Sequence, residues 1–285
     1  MDPLVGLVLD ERYQILSEIG RGALGIVYKA AQFDSAIPVA VKLLFEDMIN
    51  DDTAFDRFSS EAQSVSSLEH TNIVTVHDFG LTDFGYAYFV MDYLEGENLQ
   101  NTLDREGRLP LKRALKIFVQ IADALSHAHS KNIMHSDIKP ENVIIQKAEN
   151  GEDLAKLVDF GLAKRFHGIS GMRVSQSGEV LGTPAYMSPE QCMGGRTIDA
   201  RSDIYSFGCL MYAVVTGVLP ILGPDAMQTM SLHLSMNPQP PAQACPGALI
   251  PLNVQDVIMK ALKKFPEERY QTAALLRRDL QQLLK

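Results

Sequence analysis

The sequence predicts an α+β fold of two unequal parts: a small antiparallel sheet with one helix, followed by a larger, mainly helical part. Up to about residue 90, β-prone stretches alternate with turn signals, and one stretch of helical periodicity interrupts them. From about residue 98 onward, apolar residues recur at helical spacing. A chain of 285 residues is long enough to bury a substantial core. We therefore expect one folded domain over 1–285.

Five stretches of the first part are rich in β-branched and aromatic residues, as strands are: RYQILSEIG, GIVYKAAQF, VAVKLLF, IVTVHDFGL and AYFVMDYL. Between the third and the fourth stretch, apolar residues recur every three or four positions. This is the period of one buried helix face, and its members are Phe55, Phe58, Ala62, Val65 and Leu68. The pattern predicts a sheet with a single helix packed against it.

The second part shows a long helical stripe and a final amphipathic segment, LLRRDLQQLL. The members of the stripe are Leu111, Leu115, Phe118, Ala122, Leu125 and Ala128. The apolar run CLMYAVVTGVLPILG is too short and too interrupted to span a membrane, which takes about 20 residues, so we expect a buried helix there. We predict a small lobe at 12–91, a hinge at 92–97 and a helical lobe at 98–285.

The composition excludes several classes of protein. Hydrophobic residues make up 46% and charged residues 21%, which is typical of a soluble globular protein. The net charge of −9 argues against nucleic acid or anionic lipid as the main partner. Cys192, Cys209 and Cys245 share no metal-ligand spacing, so we interpret them as packing residues in a reducing compartment. The start, MDPLVGLVLD, lacks the features of a secretory signal, and we expect a cytoplasmic location.

A glycine-rich segment, IGRGALG, places Gly20, Gly22 and Gly25 in a G-x-G-x-x-G pattern. Without side chains, such a segment lets backbone N–H groups approach phosphate oxygens. The following IVYKA continues as a strand, whereas a dinucleotide-binding loop leads into a helix. The pattern therefore favours a hairpin tip folded over a ligand, and a simple turn remains the alternative.

Two charged residues follow in the small lobe: Lys42 ends the stretch VAVK, and Glu61 lies on the predicted helix. A lysine held toward phosphates gains from a carboxylate partner, because two unit charges about 4 Å apart attract by about 4 kcal/mol at an effective dielectric of about 20. On these two residues alone, a solvated lysine and a surface glutamate are the simpler interpretation.

The segment HSDIKPEN places Asp137 and Asn142 five positions apart, and Pro140 prevents a continuous helix between them. Farther along, an apolar strand ends in LVDFG, which contains Asp159. An acid that accepts a hydroxyl proton, together with an amide and a second acid as hard oxygen ligands, is what metal-assisted phosphoryl transfer requires. Taken singly, His135 could be a core histidine and Asp159 a turn residue.

Together, these motifs resemble a known family. Seven features occur in the order and spacing of the eukaryotic-type (Hanks-type) protein kinase catalytic domain. They are GRGALGIV, VAVK, the helical Glu61, HSDIKPEN, DFG, SPE and DIYSFG. The resemblance extends from about Arg12 to Leu284. DARSDIYSFGCLMY and FPEERYQTA are most similar to the bacterial serine/threonine members. The resemblance implies a bilobal fold and ATP-dependent phosphorylation of proteins, including autophosphorylation.

The resemblance also implies a nucleotide site between the lobes. The glycine-rich loop would cover the ATP phosphates, Lys42 would contact the α- and β-phosphates, and Glu61 would hold Lys42. Met91 would be the gatekeeper, and the backbone of Asp92 and Leu94 would meet adenine. The full set of implied nucleotide-binding residues is Gly20, Gly22, Gly25, Val27, Ala40, Lys42, Met91, Asp92 and Leu94.

For the reaction itself, the resemblance implies that Asp137 is the catalytic base and that Lys139 steadies the γ-phosphate. Asn142 and Asp159 would bind two Mg²⁺ ions, with Mn²⁺ as an alternative metal. Three residues would have structural roles: Glu190 would pair with Arg269, and Asp203 would brace the catalytic loop from the central helix.

The acceptor class follows from two local features of the resemblance. Kinases for serine and threonine typically have a lysine two residues after the base, which is Lys139 here. They also typically have a threonine at the position of Thr183 in GTPAYMSPE, and Thr183 would face Asp137. We expect ATP and protein substrates as partners, and neither nucleic acid nor membrane contact within this chain. The sequence leaves the oligomeric state open; the resemblance implies a homodimer through the small lobe as one alternative.

Ser136 departs from the family pattern, because most members have an arginine there that clamps a phosphorylated activation-loop residue. A serine hydroxyl cannot pair with a phosphate dianion in that way. Our hypothesis is that phosphorylation of the loop at Ser170, Ser175 or Ser177 changes activity little. The alternatives are a weakened enzyme, a pseudokinase-like interaction or scaffold module, and a small-molecule phosphotransferase that shares the fold.

Overall fold

The computed structural model describes residues 2–22, 25–45, 52–82, 85–160, 173–174, 180–181, 184–194 and 198–285. The predicted positions Ser170, Ser175, Ser177 and Thr183 lie outside these residues, and so does the side chain of Glu61.

The first lobe is a six-stranded antiparallel sheet with the strand order β1-β2-β3-β4-β6-β5. Its strands are β1 Val8–Leu9, β2 Tyr13–Gly22, β3 Gly25–Gln32, β4 Pro38–Leu44, β5 Val76–Leu81 and β6 Ala87–Asp92. Helix α1, Asp52–Ser66, lies between β4 and β5 in the chain. The predicted antiparallel sheet with an inserted helix is confirmed, and β1 is a strand that the sequence patterns did not indicate.

Helix α1 covers one face of this sheet. Phe58, Ala62 and Val65 are buried, as the helical period predicts. The ring of Phe58 meets Phe89 on β6 edge-on, with the ring centroids 4.8 Å apart. Aromatic contacts of this kind fix the helix on the sheet beyond simple burial of area.

The second lobe is mainly helical. Its helices are α2 Leu99–Glu106, α3 Leu111–Ser130, α4 Pro189–Cys192, α5 Ala200–Thr216, α6 Ala226–Ser235, α7 Pro241–Ala244, α8 Leu252–Ala261 and α9 Ala273–Gln282. A three-stranded sheet lies beside them, formed by β7 Glu97–Asn98, β8 Val143–Lys147 and β9 Asp153–Leu157. A short antiparallel pair follows, β10 Arg173–Val174 and β11 Val180–Leu181. The two-lobed α+β class is thus confirmed, whereas the lobe boundaries at 12–91, 92–97 and 98–285 stay a prediction.

Helix α5 is the centre of the second lobe, since every residue from Ser202 to Thr216 is buried. The Phe207 ring packs edge-on against Phe118 of α3, with the centroids 6.0 Å apart. A helix that is apolar on all sides must be surrounded by other elements. Side chains that project from α5 therefore start from a helix that is packed on all sides.

The prediction of one buried helix across CLMYAVVTGVLPILG is wrong in its second half. Helix α5 ends at Thr216, and Gly217 follows in the left-handed conformation with φ of 78°. Glycine takes this conformation without strain, and it is a common helix terminator. A Cβ at this position would also lie 2.7 Å from the carbonyl oxygen of Gly107. The apolar residues beyond Gly217 therefore continue as irregular chain.

Among the described residues, no helix has both the length and the apolar character that crossing a membrane requires. The three cysteines are free thiols. Cys192 and Cys209 are buried, consistent with their interpretation as packing residues, and Cys245 is half-buried.

The packing around α5 gives a direct stability prediction. Replacement of the fully buried Phe207 by alanine (F207A) should lower the free energy of unfolding by about 3–5 kcal/mol. The substitution removes buried apolar surface, and the cavity that it leaves deprives the neighbouring side chains of contacts. The matched control is F265A, since the Phe265 side chain is 61% exposed, and it should cost less than about 0.5 kcal/mol. Urea denaturation measures both, and equal losses would contradict the assignment of α5 as the core.

Candidate active site

The segment HSDIKPEN lies between α3 and β8 and ends in a 3₁₀ turn, Pro140–Asn142. His135 is fully buried, and its ring packs on Phe160 with the centroids 4.6 Å apart. Burial lowers the pKa of His135, so the imidazole is neutral. Its Nε2 lies 2.9 Å from the Val158 carbonyl oxygen and donates to it, while Nδ1 accepts from the Asp137 N–H at 3.3 Å. His135 thus joins the loop to the chain that follows β9.

The carboxylate of Asp203, in the first turn of α5, holds the backbone of this loop. Its Oδ2 accepts from the His135 N–H at 2.8 Å, and its Oδ1 accepts from the Ser136 N–H at 2.7 Å. The His129 ring nitrogen Nε2 is a further contact, 2.8 Å from Oδ2. Burial acts to raise the pKa of Asp203, but the hydrogen bonds that its carboxylate accepts, with His129 first among the partners, outweigh it, and the net shift is downward. Asp203 is therefore a buried, ionised anchor.

Two residues of the site have left-handed backbone conformations: φ is 69° at Ser136 and 62° at Asp159. Such a conformation costs a non-glycine residue on the order of 1–3 kcal/mol and persists only where the surroundings enforce it. At Ser136 the carboxylate of Asp203 supplies part of that constraint. Ser136 directly precedes Asp137 in the chain, and Asp159 is itself a charged residue of the site.

The side chains of Asp137, Lys139 and Asn142 contact one another. The carboxylate oxygen Oδ2 of Asp137 lies 2.8 Å from Lys139 Nζ and accepts from Asn142 Nδ2 at 3.1 Å. The same Nδ2 donates to the Asp137 main-chain oxygen at 2.7 Å. The Asp137 side chain is 40% exposed, so a substrate hydroxyl can reach it. Burial acts to lower the pKa of Lys139, but the charge of Asp137 outweighs it and the net shift is upward, so the lysine stays an ammonium.

Asp159 and Lys42 form an ion pair that joins the two lobes, with Nζ and Oδ1 2.7 Å apart. Lys42 is buried on β4, so the charges attract in a poorly solvated place. Burial acts to raise the pKa of Asp159, but the charge of Lys42 outweighs it and the net shift is downward. The predicted partner of Lys42 was Glu61, whose side chain lies outside the described residues. The contact that the structure shows is with Asp159.

Asn142 and Asp159 are suitable ligands for a divalent cation. Asn142 uses its amide nitrogen for both hydrogen bonds to Asp137, which leaves its Oδ1 for a cation, and Asp159 is ionised. The two segments are adjacent, because the Val158 N–H donates to the Asn142 carbonyl at 3.0 Å. Over the described ranges, no group of three or more His, Cys, Asp or Glu is placed to bind a metal. A cation here would need phosphate oxygens as well, which is how Mg²⁺ commonly binds in phosphotransferases.

The glycine-rich segment forms a hairpin of β2 and β3, closed by the pair Gly22 and Gly25. This confirms the prediction of a strand-to-strand loop. A Cβ at Gly20 or Gly22 would have no neighbour within 4 Å, so open space faces these glycines. Gly25 differs, because a Cβ there would overlap the Leu43 carbonyl of β4. The close approach of two strands therefore requires a glycine at Gly25 irrespective of any ligand.

The other predicted nucleotide-binding residues lie on neighbouring strands. Val27 pairs with Lys42 across β3 and β4, and Ala40 pairs with Met91 across β4 and β6. Ala40 and Met91 are buried, as residues behind a flat apolar ligand should be. Val27, Ala40, Lys42 and Met91 therefore lie in one region of the sheet. Leu94, which follows β6 in the chain, is half-buried.

The side chain of Asp92, at the end of β6, is engaged elsewhere. Its Oδ1 lies 2.8 Å from His77 Nε2, and its Oδ2 lies 3.8 Å from Lys156 Nζ. The Asp92 N–H donates to the Thr75 carbonyl at 3.1 Å, so the main-chain carbonyl of Asp92, rather than its carboxylate, is the group that can accept from a ligand.

The predicted pair Glu190 and Arg269 is in contact. Arg269 donates from both terminal nitrogens to the two carboxylate oxygens of Glu190, at 2.7 and 2.8 Å. Its remaining N–H groups donate to the main-chain oxygens of Arg201, Lys263 and Lys264. Ser202 donates to Glu190 at 2.6 Å. Helix α4 is thus tied to the helical core by a buried ion pair whose donors are all used.

Two side chains that support the loop, one through Asp203 and one directly, were not predicted from the sequence. His129 is the third hydrogen-bond partner of the Asp203 carboxylate, and Gln191 donates from Nε2 to the Ser136 carbonyl at 2.9 Å. The position of His129, near the end of α3, is a weak signal for the first. Nothing in the periodicity or spacing points to Gln191.

The comparisons with known proteins agree with this geometry. The protein kinase domain family matches residues 13–280, and the chain belongs to this family. It is 36% identical over 281 residues to serine/threonine-protein kinase pkn3 of Myxococcus xanthus, covering 98% of this chain and 51% of that protein. It is 40% identical over 267 residues to pkn2 of the same organism, covering 94% of this chain and 32% of that protein. The chain therefore spans about half or less of these relatives.

A solved structure, the kinase domain of PknI from Mycobacterium tuberculosis, has the same fold. The TM-score is 0.75 with 26% sequence identity, and 98% of each chain is covered. This likeness confirms the bilobal kinase fold that the motifs implied.

The buried ion pair between Glu190 and Arg269 yields a second prediction. Replacing Arg269 by methionine (R269M) leaves Glu190 buried without its partner, and the free energy of unfolding should fall by about 3–5 kcal/mol. The control is R278M, which breaks an exposed pair with Asp279 and should cost less than about 1 kcal/mol. Urea denaturation distinguishes the two, and a loss below about 1 kcal/mol in R269M would contradict the anchoring role.

Proposed function

We propose that the chain transfers the γ-phosphoryl group of ATP to serine and threonine hydroxyls of proteins, including its own. The observation that carries the proposal is the cluster of Asp137, Lys139 and Asn142 within hydrogen-bonding distance of one another. The ion pair of Asp159 and Lys42 lies on the chain adjacent to this cluster. An acid, an ammonium and two oxygen ligands are the parts that phosphoryl transfer needs.

In the proposed reaction, the substrate hydroxyl oxygen attacks the γ-phosphorus as the bond from that phosphorus to the bridging oxygen of ADP breaks. The hydroxyl proton goes to the Asp137 carboxylate, which is accessible. Lys139, whose Nζ lies beside this carboxylate, places a positive charge next to the transferred group. ADP leaves with the electron pair of the broken bond.

Lys42, Asn142 and Asp159 have the phosphate-binding roles in this proposal. Bound Mg²⁺, or Mn²⁺ as the alternative, would supply positive charge to the phosphate oxygens, with Asn142 and Asp159 holding it. Lys42 would contact the α- and β-phosphates from β4, and Glu61 would be its second carboxylate partner. Gly20, Gly22 and Gly25 would cover the phosphates.

The adenine ring would lie against the apolar side chains on the sheet and meet the backbone of the connector. Ala40 and Met91 are buried neighbours on β4 and β6, and Met91 would limit the depth of the pocket. Val27 would cover the ring from β3, and Asp92 and Leu94 would offer main-chain hydrogen bonds. The engagement of the Asp92 carboxylate by His77 supports a role for its backbone alone.

The acceptor class rests on two kinds of support. Lys139 lies two residues after Asp137, as in kinases for serine and threonine, and both Myxococcus relatives carry that activity in their names. Thr183, outside the described residues, would face Asp137. A homodimer through the small lobe and a cytoplasmic location stay predictions.

The test of the proposal is phosphate transfer from Mg-ATP to a generic basic protein, measured with D137N. Loss of the base should lower kcat by about 10²–10³-fold while the Kd for nucleotide changes by less than about threefold. The matched control is D104N, which alters an exposed carboxylate on α2 and should keep full activity.

Two outcomes would contradict the proposal. D137N could retain more than about a tenth of the activity, which would exclude Asp137 as the base. The unchanged chain could instead bind nucleotide without transferring phosphate, which would favour the scaffold alternative.

A separate prediction concerns the activation segment. Because Ser136 provides no guanidinium for a phosphate, changing Ser170, Ser175 and Ser177 together to alanine should alter kcat by less than about threefold. Mass spectrometry of the unchanged chain, after incubation with Mg-ATP, shows which serines or threonines are modified. A loss of activity above about tenfold in the triple variant would show that loop phosphorylation controls the enzyme.

A further inference from the structure

The main chain of Ser136 is held at both of its polar groups. Its N–H donates to Asp203 on α5 at 2.7 Å, and its carbonyl oxygen accepts from Gln191 Nε2 on α4 at 2.9 Å. The residue has a φ of 69°, which serine adopts only under constraint. Two elements of the helical lobe therefore enforce the conformation of the residue directly before Asp137.

Gln191 is itself firmly placed. Its Oε1 accepts from the Ser188 N–H at 2.9 Å, and its main-chain N–H donates to Ser188 Oγ at 3.3 Å, which together form a capping box. Its neighbour Glu190 is fixed by the buried contacts to Arg269 and Ser202. The amide of Gln191 thus projects toward the catalytic loop from a support that cannot easily shift.

The hydrogen bond from Gln191 acts on one particular peptide group. The Ser136 carbonyl and the Asp137 N–H belong to the same planar unit, so fixing the oxygen fixes the plane. At the opposite edge of the same peptide group, the Asp137 N–H donates to His135 Nδ1 at 3.3 Å. The orientation of this plane sets the direction in which the Asp137 side chain leaves the backbone.

We propose that Gln191 is a positioning residue for phosphoryl transfer: its side-chain amide fixes the Ser136–Asp137 peptide and thereby aims the carboxylate of the base. The proposal rests on the proposed function. It assigns to a neutral amide on α4 a constraint that acts on Ser136 through its main-chain carbonyl. The constraint involves no phosphate, so it is present before any modification.

The test uses two variants of Gln191 and one control. Q191E keeps the length and the acceptor for the Ser188 N–H but removes the donor to Ser136. Q191M removes both side-chain hydrogen bonds without adding charge. S188A removes the Oγ that accepts from the Gln191 main-chain N–H in the same capping box, and it leaves the contact between Gln191 and Ser136 intact.

We expect kcat to fall about five- to tenfold or more in Q191E and Q191M, the effect of one lost hydrogen bond. The KM for ATP and the Kd for nucleotide should stay within about twofold. S188A should lower Tm through the lost cap but keep kcat within about twofold. If Gln191 mattered only for stability, kcat per folded molecule would be the same in all of these variants, and that result would overturn the proposal.

Hydrogen exchange of the Asp137 amide provides a readout that needs no activity. The exchange rate should rise about tenfold in Q191E and Q191M and stay near the wild-type value in S188A. An unchanged rate in Q191M would also overturn the proposal. If the unchanged chain transfers no phosphate, the proposed function fails, whereas the exchange rates still decide whether Gln191 holds the loop.

Discussion

The buried carboxylate of Asp203 is the interaction on which the rest of the candidate site depends. A buried charge is costly unless hydrogen bonds and charge compensate it, and here two main-chain N–H groups and the His129 ring surround it. Because α5 is buried along nearly its whole length, this anchor is part of the core. The loop that carries His135, Ser136 and Asp137 has little regular structure of its own, and Asp203 on that helix holds its backbone.

This arrangement explains how a small neutral residue can stand beside the proposed base. The position before Asp137 is held through its backbone, by Asp203 on one side and Gln191 on the other, so its side chain is not needed for the constraint. The ion pair of Lys42 and Asp159 then connects the loop region to the sheet of the first lobe. The two lobes thus contribute oppositely charged groups to one region, where each charge has a partner.

Local patterns predicted most of the fold, because helices and strands bury one face at a fixed period. The stripe on α3 and the alternating strands are examples, and the ordered motifs indicated Asp137, Lys139, Asn142 and Asp159. The end of α5 was missed because apolar residues continue past Gly217, where backbone conformation decides. The contact of Gln191 with Ser136 could not be predicted, since it joins segments distant in the chain and belongs to neither period.

The most direct measurement of the central claim is residue-resolved hydrogen exchange at the His135 and Ser136 amides in the wild-type protein and in D203N. If Asp203 holds the loop, both amides exchange slowly in the wild type and about ten- to a hundredfold faster in D203N. The amide of Leu210, inside α5, should change much less and serves as the internal reference for global stability. Equal acceleration at all three amides, or none at His135 and Ser136, would contradict the account.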